Sequence, residues 1–193
     1  MLWQIDETGP SLRAGLPLTV AEETDLASIT HPTQRVEWLA CRVALQMLVG
    51  RERYAGLWKD EFGKPHLIGL PGHISLSHTG GWAAVVWHDS APVGIDIEPQ
   101  REQLRRVVPR VLSAAEIAHA NGKTERLAVY WCAKEALYKL YGKRKLTFRE
   151  HLSIDPFTDG SEMLTGHVRL PNHNATLTIR CFRAGPGWVA VAF

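Results

Sequence analysis

The sequence has little of what marks secreted, zinc-binding or membrane-spanning proteins. Its 193 residues include three cysteines, an odd number with no C-x-x-C pair, so neither a disulfide framework nor a zinc knuckle is indicated. Residues 1–10 lack the basic and apolar regions of a signal peptide. The longest apolar runs, at 82–87 and 188–193, are too short to cross a bilayer. We therefore expect a cytoplasmic protein with no membrane partner.

The net charge is also small. The sequence has 22 Lys and Arg residues and 20 Asp and Glu residues, which gives a formal net charge of +2. This charge is too small to indicate a nucleic-acid partner. The basic residues nevertheless form two clusters. One cluster contains Arg101, Arg105, Arg106 and Arg110, and the other contains Lys143, Arg144, Lys145 and Arg149. Such runs are usually solvated surfaces, but the first cluster is our candidate for docking an acidic partner.

What is present is typical of a folded globular protein, with 45% apolar and 22% charged residues. Apolar spacing predicts an amphipathic helix over 33–49 that ends at Gly50. Further helices are predicted at 103–111, 113–121 and 124–141, the second with a capping box from Ser113 and Glu116. Alternating or continuous apolar runs predict strands at 73–78, 82–87, 93–98, 152–154, 163–170, 176–183 and 188–193. Turns are expected at 79–81 and at Gly185-Pro186-Gly187.

An internal repeat organises these elements. Segment 39–50 aligns with 131–142, and segment 81–87 aligns with 187–193 in the same order. We predict an α+β fold, a pseudo-dimer of two similar α+β halves, 1–92 and 93–193. Each half would pack a helix on a small, mostly antiparallel sheet.

The alignment also separates the two halves chemically. Val43 and Met47 of the first half stand where the second half has Glu135 and Lys139. Only the second half therefore carries reactive groups on its helix, and we expect one catalytic centre per chain.

Two carboxylates stand two residues apart on the predicted strand 93–98. Asp96 and Glu98 project from one face, while Ile95 and Ile97 point the other way. Most acidic pairs are simply solvated. If the strand is buried, however, a divalent cation is the natural compensation, and oxygen ligands select magnesium or manganese.

Glu135 and Lys139 stand four apart on the predicted helix 124–141 and share one face. They are either an ordinary surface ion pair or a third carboxylate for the same metal beside a cation for a phosphate. Ser77 and His78 end a predicted strand, where hydroxyl, imidazole and backbone N–H groups can hold a phosphate. Arg35, Arg42 and Lys64 are unremarkable when taken singly.

Together these residues occur in an order that resembles one family. The motifs are Ser77-His78-Thr79 before a hairpin, Val93-Gly94-Ile95-Asp96-Ile97-Glu98, and Trp131-Cys132-Ala133-Lys134-Glu135-Ala136-Leu137-Tyr138-Lys139. Gly63-Lys64-Pro65 and the spacing of Arg35 and Arg42 are similar to the family as well. The chain resembles the Sfp-type 4'-phosphopantetheinyl transferase superfamily over nearly its whole length.

The resemblance implies transfer of 4'-phosphopantetheine from coenzyme A to a serine of an apo acyl, peptidyl or aryl carrier protein, with release of 3',5'-ADP. Coenzyme A would lie between the halves of a monomer. Asp96, Glu98 and Glu135 would ligate Mg²⁺, or Mn²⁺, which also meets the pyrophosphate of coenzyme A.

The resemblance also assigns roles to the remaining candidates. Ser77 and His78 would meet the adenosine 3'-phosphate region, and Arg35, Arg42 and Lys64 would be further phosphate contacts. Lys139 would stabilise or protonate the departing 3',5'-ADP, and Glu135, directly or through a metal-bound water, is our candidate general base. The stretch before Arg35 holds no lysine, unlike that of many relatives, which leaves the adenine-side contacts open.

Two other functions fit the residues alone. A magnesium-dependent phosphodiesterase or nuclease would use the same carboxylates and lysine but would turn over without an acceptor protein. A non-catalytic module would bind coenzyme A or a nucleotide without chemistry.

Overall fold

Two units make up the chain, Met1–Val93 and Gly94–Phe193, and each has its own hydrophobic core. The computed structural model describes residues 1–144, 146–185 and 187–193. Lys145 of the second basic cluster and Pro186 of the predicted Gly-Pro-Gly turn lie outside the described residues. Within the described residues, no helix is both long and apolar enough to span a membrane.

The N-terminal unit packs one long helix on a small antiparallel sheet. Its elements are β1 (Leu2–Gln4), α1 (Gly9–Arg13), α2 (Val20–Ser28), α3 (Pro32–Val49), a 3₁₀ turn (Arg51–Arg53), β2 (Leu57–Lys59), β3 (Pro65–Leu67), β4 (His73–Thr79) and β5 (Trp82–His88). One sheet has the strand order β1-β5-β4, and β2 pairs with β3 in a separate hairpin. Helix α3 contributes Ala40, Cys41, Ala44 and Leu45 to a core that also contains Ala83 and Val85 of β5.

Helix α3 and the β4–β5 hairpin confirm the predicted pattern. The helix begins with Pro32, which suits the first helical turn because its missing N–H would have no partner there. It ends at Gly50, whose φ of +96° is costly for other residues. Gly80 and Gly81 join β4 to β5 with φ values of +54° and +78°. Positive φ at both positions is the signature of a two-residue type I′ turn.

The C-terminal unit packs α6 on a five-stranded antiparallel sheet of order β6-β10-β9-β8-β7. Its elements are β6 (Gly94–Pro99), α4 (Leu104–Val111), α5 (Ala114–Ala120), α6 (Thr124–Tyr141), α7 (Phe148–His151), β7 (Leu152–Ile154), β8 (Met163–Leu170), β9 (His173–Ala184) and β10 (Gly187–Ala192). The core joins apolar residues of α6, such as Ala136 and Leu137, to Ala190 and Ala192 of β10. The predicted α+β class is therefore confirmed.

The predicted capping box at α5 is present and holds a buried ion pair. The Ser113 hydroxyl accepts from the Glu116 N–H, and Glu116 Oε2 accepts from the Ser113 N–H at 2.7 Å. The same carboxylate accepts a hydrogen bond from Lys134 Nζ at 2.7 Å, and its Oε1 accepts from the Ile154 N–H of β7 at 3.0 Å. One buried glutamate thus ties α5, α6 and β7 together.

The N-terminal unit contains the same arrangement, a capping-box glutamate that binds a buried cation and a strand N–H. Thr19 and Glu22 form the capping box of α2. Glu22 Oε1 accepts from Arg42 Nε of α3 at 2.8 Å, and its Oε2 accepts from the Leu57 N–H of β2 at 3.1 Å. The sequence alignment matched Arg42 with Lys134. Because each of these cations binds the capping-box glutamate of its own unit, the helix part of the predicted repeat has a structural counterpart.

The strand part of the repeat is out of phase. The alignment placed Ala83 over Val189 and Ala84 over Ala190. In the structure, Ala83 belongs to the core under α3, but on β10 it is Ala190 that belongs to the core under α6. Because alternate residues of a strand face opposite sides, a slip of one residue exchanges the two faces. The matching Gly-Trp sequences therefore do not mark equivalent positions.

Several short elements were not predicted, namely β1, α1, α2, β2, β3 and α7. Most have three to five residues, which is too few to show a hydrophobic period.

Candidate active site

Asp96 and Glu98 lie on the face of β6 that is turned toward α6. Gly94 shares this face, and a Cβ atom on Gly94 would come within 1.9 Å of the Ala136 carbonyl oxygen of α6. A glycine is therefore required for the strand to approach the helix this closely. Both carboxylates are consequently buried, with Asp96 5% and Glu98 8% exposed.

Helix α6 presents Lys139 to this strand. Lys139 Nζ donates a 2.7 Å hydrogen bond to Asp96 Oδ1. The structure thereby brings together two candidates that belong to different motifs of the sequence. Lys139 lies in the last turn of α6, two residues before the helix ends at Tyr141.

Glu135 lies one turn before Lys139 and is electrostatically coupled to both carboxylates of β6. Burial and the negative charge of Asp96 raise the pKa of Glu135 to about 7, with a smaller contribution from Glu98 and an opposing one from Lys139. Three carboxylates and one ammonium group therefore influence each other at this point of the C-terminal unit.

Glu98 is bound by residues that the sequence did not single out for this purpose. Arg101 donates to Glu98 Oε1 from Nε at 2.9 Å and from its terminal nitrogen at 2.6 Å. The indole of Trp131 donates to the same carboxylate. Burial raises the pKa of Glu98, and the Arg101 hydrogen bonds oppose this rise. The three-residue spacing between Glu98 and Arg101 was the only available signal.

The donor set fits a hard divalent cation in its chemistry, because Asp96, Glu98 and Glu135 supply carboxylate oxygens only. As placed, no three Asp, Glu, His or Cys side chains in the described part of the chain stand close enough to hold a metal together. Lys139 and Arg101 instead pair with Asp96 and Glu98. Burial is the largest cause of the raised pKa of Glu135, the charge of Asp96 is the next, and a divalent cation would oppose both by favouring the ionised form.

In the N-terminal unit, Ser77 and His78 lie within β4 rather than at a turn, since the strand continues to Thr79. Neighbouring residues of a strand point to opposite faces. His78 shares the face of Ile74 and Leu76, which pack on the α3 core, and Ser77 is buried on the other face. The two side chains therefore point to opposite faces of the strand, and a contact of Ser77 and His78 with the same phosphate region stays a prediction.

His78 is held by a residue that the sequence analysis missed. Its Nδ1 lies 2.9 Å from Glu37 Oε2, and Glu37 Oε1 accepts from the Gly81 N–H at 2.8 Å. Glu37 lies on the predicted helix 33–49 among apolar neighbours. The only sequence signal was a charged residue beside the apolar face of this helix.

Arg35 and Arg42 both have intramolecular partners. Arg35 donates to the carbonyl oxygens of Leu26 and Ile29 at 2.7 and 3.1 Å, at the end of α2. Arg42 is 5% exposed, binds Glu22, and stacks on the ring of Trp38 at 3.0 Å from its centroid. Contacts of either arginine with phosphate stay predictions, and the structure adds a role for both in holding the unit together.

Lys64 lies in the loop between β2 and β3, which Asp60 organises. Asp60 Oδ1 accepts from the backbone N–H groups of Phe62 and Lys64, each at 2.9 Å. Burial lowers the pKa of Lys64, and the charge of Asp60 opposes this effect. The loop thus fixes the backbone of Lys64, while its contact with phosphate stays a prediction.

Known proteins are similar to this chain. Residues 92–182 match the family model of the 4'-phosphopantetheinyl transferase superfamily. The 4'-phosphopantetheinyl transferase Sfp of Bacillus subtilis (strain 168) is 29% identical over 135 residues, which cover 67% of this chain and 58% of Sfp. The 4'-phosphopantetheinyl transferase psf-1 of Bacillus pumilus is 33% identical over 132 residues, which cover 65% of this chain and 54% of psf-1. AcpT of Salmonella typhi is 34% identical over 127 residues, which cover 61% of this chain and 64% of AcpT.

The C-terminal unit carries two acidic residues on a strand beside a glutamate and a lysine on a helix. This arrangement is suited to the class of proteins that catalyse phosphoryl transfer. The match to the model of the 4'-phosphopantetheinyl transferase superfamily covers residues 92–182, a little under half of the chain. The similarity to Sfp and psf-1 supports the Sfp-type branch. The chain spans between about half and two thirds of the length of these relatives, 54% to 64%.

Proposed function

We propose that the protein transfers 4'-phosphopantetheine from coenzyme A to a serine hydroxyl of an apo acyl, peptidyl or aryl carrier protein and releases 3',5'-ADP. The observation that carries this proposal is the coupling of Asp96, Glu98, Glu135 and Lys139 in the C-terminal unit. The proposal is also supported by the similarity to Sfp and psf-1, which are 4'-phosphopantetheinyl transferases.

Asp96, Glu98 and Glu135 would hold Mg²⁺, with Mn²⁺ as the other candidate. An ion bound there would neutralise the negative charge of the pyrophosphate, which otherwise repels an incoming nucleophile. Asp96 and Lys139 would also lie close to coenzyme A itself.

Glu135 is our candidate general base. It would act directly or through a metal-bound water, and a general base typically contributes about 10²–10⁴-fold. The serine oxygen would lose its proton to Glu135 and form a bond to the phosphorus that carries the pantetheine arm. The bond between this phosphorus and the bridging oxygen then breaks, and 3',5'-ADP leaves.

Lys139 would stabilise the negative charge that develops on the departing 3',5'-ADP or donate a proton to it. Its hydrogen bond to Asp96 supports this role, because it fixes the ammonium group beside the carboxylates. In the N-terminal unit, His78, Ser77, Arg35, Arg42 and Lys64 are proposed contacts of the phosphates of coenzyme A. His78 has the most direct support, since its side chain is 35% exposed.

The first basic cluster, from Arg101 before α4 to Arg110 within it, is the proposed docking surface for the carrier protein. Arg101 and Arg105 already pair with Glu98 and Glu102. Arg106 and Arg110 are exposed on the same helix and would attract an acidic surface of the carrier. We expect the protein to be cytoplasmic and to act as a monomer.

The test is incubation with coenzyme A, Mg²⁺ and a panel of apo acyl, peptidyl and aryl carrier proteins. Mass spectrometry should detect a phosphopantetheine-sized addition on at least one carrier. No addition on any carrier would contradict the proposal. Hydrolysis of coenzyme A without a carrier would point to a phosphodiesterase instead.

A further inference from the structure

A buried carboxylate of the N-terminal unit has no place in the function proposed so far. The side chain of Glu37, on α3, is only 6% exposed. Removing a charge from water is costly unless partners compensate it. Glu37 has two such partners, and both belong to the β4–β5 hairpin, namely the His78 ring and the Gly81 N–H.

The contact with Glu37 determines which nitrogen of His78 can meet a ligand. A carboxylate only accepts hydrogen bonds, so Nδ1 of the imidazole must carry the proton that lies between them. Nε2 is then the ring nitrogen left for a ligand. A phosphate oxygen accepts from Nε2 when that nitrogen is protonated too, and the resulting imidazolium has its charge balanced by Glu37.

The contact with Gly81 fixes the hairpin on which His78 lies. Gly81 is the second residue of the two-residue turn after β4, and its N–H donates to Glu37 at 2.8 Å. Because α3 is an 18-residue helix packed on the sheet, Glu37 ties both the turn and the ring to a rigid element. An oriented imidazole loses less conformational freedom when it binds a ligand.

We propose that Glu37 is a positioning residue that orients His78 toward an anionic phosphate group, the adenosine 3'-phosphate of coenzyme A. The inference rests on the proposed function for the identity of the ligand. It assigns to Glu37 part of the preference for coenzyme A over 3'-dephospho-coenzyme A, which lacks that phosphate. Arrangements in which a carboxylate fixes a ligand-binding histidine are common in metal sites, where the same physical logic applies.

A purely structural role for Glu37 makes a different prediction. If Glu37 only fastens the hairpin, its replacement lowers stability and affects both substrates equally. If Glu37 acts through His78, its replacement weakens the use of coenzyme A more than that of the dephospho form. The ratio of kcat/KM for the two substrates therefore separates the roles, whereas a melting temperature alone does not.

The experiment compares wild type, Glu37→Gln, His78→Ala and the double variant with coenzyme A and with 3'-dephospho-coenzyme A. In Glu37→Gln, the amide must present its NH₂ group either to the Gly81 N–H or to His78 Nδ1, so it cannot accept from both. We expect the preference for coenzyme A to fall about tenfold, the loss of roughly one charge-assisted hydrogen bond. The double variant should show no greater loss of preference than His78→Ala.

The matched control is Glu52→Gln, because Glu52 is an exposed glutamate of the same unit, and it should keep the wild-type preference. A Glu37→Gln enzyme with the wild-type preference would overturn the inference, whatever its melting temperature. The inference would also be overturned if the losses of preference caused by Glu37→Gln and His78→Ala multiplied in the double variant. If the wild type transfers from neither substrate, the proposed function fails, and the ratio of the two dissociation constants, measured by calorimetry, decides the inference by the same criteria.

Discussion

Lys139 Nζ lies 2.7 Å from Asp96 Oδ1 and joins the helix motif to the strand motif in one hydrogen bond. The approach depends on Gly94, since any Cβ at that position would overlap the backbone of α6. The pair gives Asp96 a counter-charge within the chain, at the point where we place the metal and the leaving group.

Replacing Lys139 by alanine removes this counter-charge and the proposed partner of 3',5'-ADP. We expect kcat for carrier modification to fall about 10²–10³-fold, the usual loss for a group that stabilises developing charge. Mg²⁺ should bind no more weakly than to wild type in a direct titration, because a competing cation is gone from Asp96. Lys123→Ala, which removes an exposed lysine paired with Asp159, is the control. An unchanged kcat would remove Lys139 from the chemistry.

Gly94→Ala tests the close approach of β6 and α6. The added methyl group would lie 1.9 Å from the Ala136 oxygen, so the strand must move. We expect a loss of about 2–4 kcal/mol in the free energy of unfolding, measured with urea, together with weaker transfer activity. Gly9→Ala is the control, because its methyl group would meet only Val36, at 3.7 Å. Equal stability of the two variants would show that β6 does not need this glycine.

The buried pair of Glu116 and Lys134 should respond asymmetrically to mutation. Glu116→Gln leaves the fully buried Lys134 ammonium without its counter-charge, and we expect a loss of about 3–5 kcal/mol in denaturant unfolding. The double variant Glu116→Gln with Lys134→Met should recover part of this loss, because no buried charge is left unpaired. A double variant less stable than the sum of both single losses would contradict this view of the pair.

Asp159 gives the stability a defined dependence on pH. Hydrogen bonds from Arg126 and Lys123 lower the pKa of Asp159 to about 2 from an ordinary 3.8. A carboxyl group with a lowered folded-state pKa stabilises the fold above its unfolded pKa, and this contribution is lost as the pH falls through the folded one. Wild type should therefore exceed Asp159→Asn in unfolding free energy at pH 6, and the difference should vanish between about pH 4 and pH 2. A difference that does not change with pH would refute this assignment.

Charge reversal on α4 tests the docking surface. The double variant Arg106→Glu, Arg110→Glu should raise KM for the carrier about tenfold at low salt and less at high salt, since exposed charges are screened. KM for coenzyme A should not change. Reversal of Arg169 and Arg180, which are exposed on β8 and β9, is the control. An equal effect of both double variants would mean that α4 is not a specific docking surface.

The long elements of the fold could be predicted because their signals are local. Helix α3 shows a hydrophobic period, and Gly50 and Gly142 mark the ends of α3 and α6. The Ser113–Glu116 capping box also depends on neighbours in sequence. The phase of the strand repeat could not be predicted, because β5 is apolar on both faces and carries no alternation that fixes which face meets the helix.

The roles of the candidate site residues stay predictions, but their contacts can be compared with the sequence analysis. Asp96, Glu98, Glu135 and Lys139 were selected from spacing and resemblance, and the structure couples them. The partners of these residues were not foreseen. The contact of Arg101 with Glu98, like that of Glu37 with His78, depends on side-chain directions and on chain segments coming together, which a single sequence does not specify.

The most direct test of the central claim is the initial rate of carrier modification by Glu135→Gln, followed by mass spectrometry with coenzyme A and Mg²⁺. Glu125→Gln, an exposed position on the same helix that pairs with Arg183, is the matched control. We predict a loss of about 10²–10⁴-fold for Glu135→Gln, the range for a general base, and wild-type rates for Glu125→Gln. A Glu135→Gln enzyme that modifies its carrier at the wild-type rate would contradict the account.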